Sequence, residues 1–128
     1  MHTADELARA WLQHSRTMWV GDAVAEEMRP DSGLERSWHF LRALIRQAEP
    51  SDLEFIGAGP LEDYVKRHGE LAIDRIESEA QINAPFRIAL GRVWIETNYL
   101  SPPVTARLVA ASGGVIEPTG SIGRPPDA

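Results

Sequence analysis

Between residues 34 and 48 the apolar side chains fall at Leu34, Trp38, Leu41, Ile45 and Ala48, a strict 4-3-4-3 spacing. A stripe of that period lies on one face of an α-helix and cannot lie on one face of a strand, where the period is two. Phe40 and Leu44 widen the stripe, and Glu49-Pro50 ends it, because the residue before a proline avoids the α region. The same period recurs in Ala4, Leu7, Trp11, Ser15 and Met18, with Ala8, Leu12 and Trp19 beside them. No segment alternates as a half-buried strand would. The pattern predicts an all-α fold.

Start and stop signals divide the chain into helices over about 4–20, 33–48, 51–57, 60–68, 70–82, 84–96 and 102–111. Thr3-x-x-Glu6, Ser32-x-x-Glu35 and Ser51-x-x-Glu54 fit the capping box, in which a hydroxyl and a carboxylate satisfy orphan backbone donors reciprocally. Asn83 and Ser101 are N-cap candidates, each with a proline in the first turn that follows. Gly57-Ala58-Gly59-Pro60 reads as a tight turn, and Gly69 as a left-handed C-cap. The capping boxes start 29 and then 19 residues apart, which no solenoid of fixed period explains. The expected architecture is a single compact bundle of about six to seven short helices over residues 1–112. From Gly113 the chain turns to glycine and proline (Gly113, Gly114, Pro118, Gly120, Gly123, Pro125, Pro126), a composition that buries little apolar surface. Residues 113–128 are expected to form a flexible, disordered tail, with Val115, Ile116 and Ile122 as its possible docking points.

Composition narrows the function classes. The chain of 128 residues is long enough for one self-sufficient core. It contains no cysteine, which removes disulfides, thiolate nucleophiles and cysteine-bound metals, and suits a reducing compartment. Met1 to Glu6 lack the basic and apolar regions of a secretory leader. No apolar run approaches the roughly 20 residues of a membrane helix. A cytoplasmic protein without membrane contact is expected. The net charge of −6 argues against a nucleic-acid partner, which would select a basic surface. Arginine supplies nearly all the bases, Lys66 being the one lysine, a usage that hints at a GC-rich bacterial genome.

Candidate chemistry is sparse. Leu53-Glu54-Phe55-Ile56-Gly57-Ala58-Gly59-Pro60 imitates the glycine-rich entry of a dinucleotide-binding fold, and Glu77 stands 20 residues past Gly57. The third glycine is missing, since residue 62 is Glu, and no βαβ unit surrounds the motif. Pro60, Glu62 and Asp63 would also repel a phosphate from the helix that follows. Glu62, Asp63 and His68 form the nearest approach to a catalytic or ligand-binding cluster, as carboxylates and an imidazole suit acid–base work. Their spacing equally suits surface pairs, Glu62 with Lys66 and Asp63 with Arg67, with His68 at a helix end. His2, His14 and His39 are isolated, so neither a metal nor a cofactor site is expected. No nucleophile motif occurs. Trp11, Trp38 and Trp94 lie on apolar stripes and are expected in the core, whereas Trp19 stands at a helix end. Six acids against three bases between residues 62 and 79 give an acidic stretch. Within it Glu70, Asp74, Glu77 and Glu79, together with Trp19, are the candidates for steering and contacting a protein partner.

Gly59-Pro60-Leu61-Glu62-Asp63, His68-Gly69, Ile73-Asp74-Arg75-Ile76-Glu77, Pro85-Phe86-Arg87-Ile88-Ala89-Leu90 and Val93-Trp94 together resemble an uncharacterised bacterial domain-of-unknown-function family. The resemblance spans about residues 34–108. It implies a small helical domain and brings no assigned reaction. The functional expectation is therefore a non-enzymatic interaction protein that neutralises or scaffolds a partner. Its alternative is a small enzyme or ligand-binding domain using Glu62, Asp63 and His68.

Overall fold

The computed structural model describes residues 3–16, 33–95 and 99–116, and all regular structure among them is helical. Helix α1 (Ala4–Arg16) and helix α2 (Leu34–Gln47) come first. A 3-10 turn at Pro50–Asp52 leads into α3 (Leu53–Ile56), a π turn (Gly57–Leu61) and α4 (Glu62–Ile82). Helix α5 (Ala84–Leu90) and helix α6 (Pro102–Ala111) follow. The backbone stays in the α region at Gly57, Leu61 and Glu62, so α3, the π turn and α4 run on as one helical rod. Counted that way the described residues hold five helices rather than six or seven.

The two breaks expected along that rod do not occur. Gly69 has no left-handed backbone and lies inside α4. Its role is steric: a Cβ there would meet both methyls of Leu100 at 3.2 Å. Gly57 is closer still to its neighbour, since a Cβ would stand 2.1 Å from the Ala89 carbonyl oxygen of α5. Both glycines mark close approach of two chain segments, which a sequence cannot distinguish from a turn. Pro60 is accommodated within the π turn, where the ladder of hydrogen bonds is already re-registered.

Of the three expected capping boxes, Thr3 and Glu6 form one, through Thr3 N–H to Glu6 Oε1 at 3.0 Å and Glu6 N–H to Thr3 Oγ1 at 3.1 Å. The second start falls at Gly33, with no side-chain cap, and Ser32 lies outside the described residues. Glu35 instead reaches Arg75 Nη2 at 2.7 Å. The third box is shifted to Glu49 and Asp52, where Glu49 N–H donates to Asp52 Oδ2 at 2.8 Å. Asn83 caps α5 by accepting the Phe86 N–H at 3.2 Å. Helix α5 ends at Leu90, short of the expected 96, and the chain continues without regular structure through Val93, Trp94 and Ile95. Val93 and Ile95 are buried and Trp94 is half-buried.

Helices α1 and α2 form an antiparallel pair, since Asp5 near the start of α1 pairs with Arg46 and Gln47 at the end of α2. Helix α6 runs alongside α4 in the same direction, as Glu70 meets Ser101 and Glu77 meets Arg107. The core between them gathers the predicted stripes of α1 and α2, in which Leu7, Trp11, Trp38, Leu41, Leu44 and Ile45 are buried, and closes them with Leu61, Tyr64, Val65, Ile73, Ile76, Phe86, Leu90 and Leu108, all buried as well. Trp38 stacks at a tilt on Tyr64, 5.6 Å between centroids, and meets Phe86 edge-on at 5.7 Å.

Of the tail expected at 113–128, residues 113–116 are described. Gly113 and Gly114 have positive φ and their N–H groups return to Ala110 and Val109, a Schellman closure of α6. Ile116 is buried, and its N–H donates to Ser112 Oγ at 3.1 Å. Residues 117–128 lie outside the described residues.

Candidate functional site

The residues singled out from sequence sit on α4, and most of their polar atoms are committed within the fold. Glu62, in the first turn of α4, accepts the Trp94 backbone N–H at 2.7 Å on one oxygen. Its other oxygen holds Lys66 Nζ at 3.3 Å. Glu62 therefore anchors the irregular 93–95 segment against the helix. A charge-assisted bond of this kind stabilises by about 1.5–3 kcal/mol.

Asp63 and His68 lie apart from that carboxylate. With Lys66, Arg67 and Tyr99 they line a surface depression of about 640 Å³. Glu62 is not in its wall, so the expected cluster of Glu62, Asp63 and His68 does not converge on one cavity. The expected Asp63–Arg67 pair does not form either; among the described residues neither side chain has an ion-pair partner. His68 is not at a helix end, because α4 runs on to Ile82. Burial, and then the nearby Arg67 charge, push its imidazole below the ordinary value of 6.5. It is thus neutral near pH 7, and its ring lies 5.2 Å from that of Tyr64.

The acidic stretch is largely an internal fastening. Glu70 accepts the Ser101 N–H at 2.6 Å, at the N-cap of α6. Asp74 and Glu77 both grip the guanidinium of Arg107 on α6. Glu79 is buried, accepts from Asn83 Nδ2 at 2.8 Å and faces Arg42 Nε of α2 at 3.7 Å. Only Asp74 and Glu70 keep substantial contact with water. Trp19 lies outside the described residues.

The Arg107 fastening sets a pH dependence. Hydrogen bonding from Arg107 holds the Glu77 carboxyl below its ordinary value of 4.5, and Glu77 in turn pushes the guanidinium up. A depressed carboxyl contributes stability that is present above about pH 4.5 and is lost as pH falls through the lower folded value. Glu77→Gln is expected to lower Tm at pH 7. Melting curves between pH 7 and pH 3 should show its gap from wild type closing below about pH 4.5. A gap that stays constant with pH would rule out this linkage.

Two features of α4 were not singled out from sequence. Leu71 is 84% exposed and Ile82 is 82% exposed, although both are large aliphatics. Their signal was present, since both stand off the buried Ala72, Ile73, Ile76 and Ala80 stripe. Lys66, Arg67 and Tyr99 join Asp63 and His68 in the depression. Lys66 and Arg67 were adjacent in the chain, but nothing in the sequence brought Tyr99 there. A second cavity, about 340 Å³, lies where α4 and α6 end, walled by Ala80, Ala110 and Ala111. Its charged groups are engaged, Glu77 with Arg107 and Arg87 with the Ala80 carbonyl at 2.8 Å.

Among the described residues no three His, Asp or Glu side chains are placed to hold a metal ion. No described helix is long and apolar enough to cross a membrane. The Gly57–Pro60 segment that imitates a nucleotide loop is helical throughout. The model of a family of unknown function, DUF6869, matches residues 9–115, a wider span than the 34–108 of the sequence resemblance. No curated protein and no solved structure matches the chain.

Proposed function

We propose that this chain, which belongs to the DUF6869 family, is a non-enzymatic bacterial interaction domain that binds a protein partner in the cytoplasm through the outer face of α4. The observation that carries the reading is the pair Leu71 and Ile82. Eleven residues apart, they fall within about 20° of each other around the helix axis and about 16 Å apart along it. Single exposed aliphatics are ordinary on a protein surface, but two facing one way on the longest helix line up as a discontinuous stripe, with Arg75 and Ser78 between them. Glu70 and Asp74 flank Leu71 and stay at the surface, so the stripe has an acidic edge suited to a basic rim on the partner. The engagement of Glu62 by Trp94 and Lys66 supports a non-catalytic role. The absence of cysteine agrees with a reducing compartment.

Charge reversal at Glu77 and Glu79 is a poor probe of this surface, because both fasten α4 to its neighbours. The informative variant is Leu71→Asp with Ile82→Asp. Burying each aliphatic in an interface is worth about 1.5–3 kcal/mol, so the double variant should bind at least about a hundredfold more weakly. Its Tm should stay close to that of wild type, as both side chains are already solvated. Tagged wild type purified from its source cells at physiological salt should carry a stoichiometric protein that the double variant loses. Retention by the variant would place the contact elsewhere. Wild type with no bound protein would overturn the reading.

A further inference from the structure

The depression on the α4 side opposite the core holds two opposite charges that decline to pair. Helical spacing puts Asp63 and Arg67 four residues apart, about 6 Å along the axis, with the acid N-terminal, an arrangement that favours an ion pair. Among the described residues they form none, and both side chains line the depression. The neighbouring cation is already spent: Lys66 Nζ rests on Glu62 at 3.3 Å and over the Tyr99 ring, 4.9 Å from its centroid. That clamp offsets the Lys66 charge and holds Tyr99, half of whose surface is exposed, as one wall. His68 completes the lining as a neutral ring. Among the described residues, what stays open is one carboxylate, one guanidinium and one aromatic wall.

We infer that the depression is a binding site for a zwitterion with an apolar body, of the α-amino acid class, whose carboxylate meets Arg67, whose ammonium meets Asp63 and whose side chain packs on Tyr99. A lone anion would meet Asp63 unfavourably and a lone cation would meet Arg67, so each single charge is disfavoured where the pair is accepted. The guanidinium fork matches a carboxylate in two-point contact. The volume, about 640 Å³, falls in the range of small-molecule sites and exceeds what a bare ion needs. The site adjoins the proposed Leu71 and Ile82 contact, since Arg67 stands one helical turn before Leu71 on the same exposed face, but its assignment does not depend on that contact.

The test is a titration of isotope-labelled full-length protein with phenylalanine, followed by backbone amide shifts. Its controls are 3-phenylpropionate, which lacks the ammonium, and phenethylamine, which lacks the carboxylate. Saturable shifts confined to residues 63–68 and 99 are expected with phenylalanine, and about tenfold weaker binding with either control. Arg67→Gln should bring phenylalanine down to the affinity of the amine, and Asp63→Asn to that of the acid. Tyr99→Ala should weaken all three. These side chains are exposed, so each variant should keep the wild-type Tm. Absence of saturable shifts, equal binding of a single-charge control, or undiminished binding by Arg67→Gln would each overturn the assignment.

Discussion

Gly57→Ala should destabilise the domain by about 3 kcal/mol, lowering Tm by roughly 10 °C. The added methyl would stand 2.1 Å from the Ala89 carbonyl oxygen and 2.7 Å from the Arg92 Cβ. The first obstacle is backbone, which cannot rotate aside as a side-chain tip can. The rod at Gly57 and helix α5 would have to move apart, and Ile56, Ala89 and Leu90, all fully buried, would lose contact in doing so. Gly69→Ala is the internal control. Its Cβ would meet side-chain methyls alone, those of Leu100 at 3.2 Å and Val65 Cγ1 at 3.7 Å, and alanine favours the helix by about 1 kcal/mol over glycine. That variant should remain within about 1 kcal/mol of wild type. Thermal and denaturant unfolding of both variants would check the contrast. Equal effects would mean that Gly57 is kept for flexibility rather than for contact.

Phe86→Ala should cost about 3–5 kcal/mol. Phe86 is completely buried at the start of α5 and meets the Trp38 ring edge-on at 5.7 Å. Trp38 in turn contacts Tyr64 and carries the Arg75 guanidinium over its face, 5.4 Å from the ring. Removing the Phe86 ring would leave a cavity where α2, α4 and α5 meet. The surrounding rods can close it only partly, because Asn83 and Pro85 fix the first turn of α5. Urea unfolding followed by tryptophan fluorescence would report both the loss of stability and the altered Trp38 surroundings. A loss below about 1 kcal/mol would show that this three-helix junction is not a stabilising centre.

Legibility in the sequence followed the range of the interaction that decided each feature. The burial of Leu7, Trp11, Trp38, Leu41, Leu44 and Ile45 was readable, because a one-sided apolar stripe has only one way to leave water. The caps at Thr3 and Asn83 were readable too, since the bonding partners stand three residues away. The end of α5 falls earlier than expected because Val93 and Trp94 continue a helical spacing while belonging to a segment without regular structure. Gly91 closes the helix there, and Glu62, from 32 residues earlier, supplies the acceptor for Trp94 N–H that a further turn would have supplied.

The candidate site divides in the same way. Its acids, bases and His68 could be named from one stretch of chain. Whether each was free could not, because that depended on Arg107, Ser101, Trp94 and Arg42 arriving from other segments. By itself the sequence determined an all-α chain, its buried stripes and an acidic α4, all consequences of local period and composition. Tertiary structure alone decided that Gly57 and Gly69 are contacts rather than turns, and that Glu62, Glu77 and Glu79 are fastenings. It also decided that Asp63 and Arg67 share a depression with Tyr99. The physical reason is that a helix fixes which residues share a face, while the partner of that face is chosen by packing between segments distant in the chain.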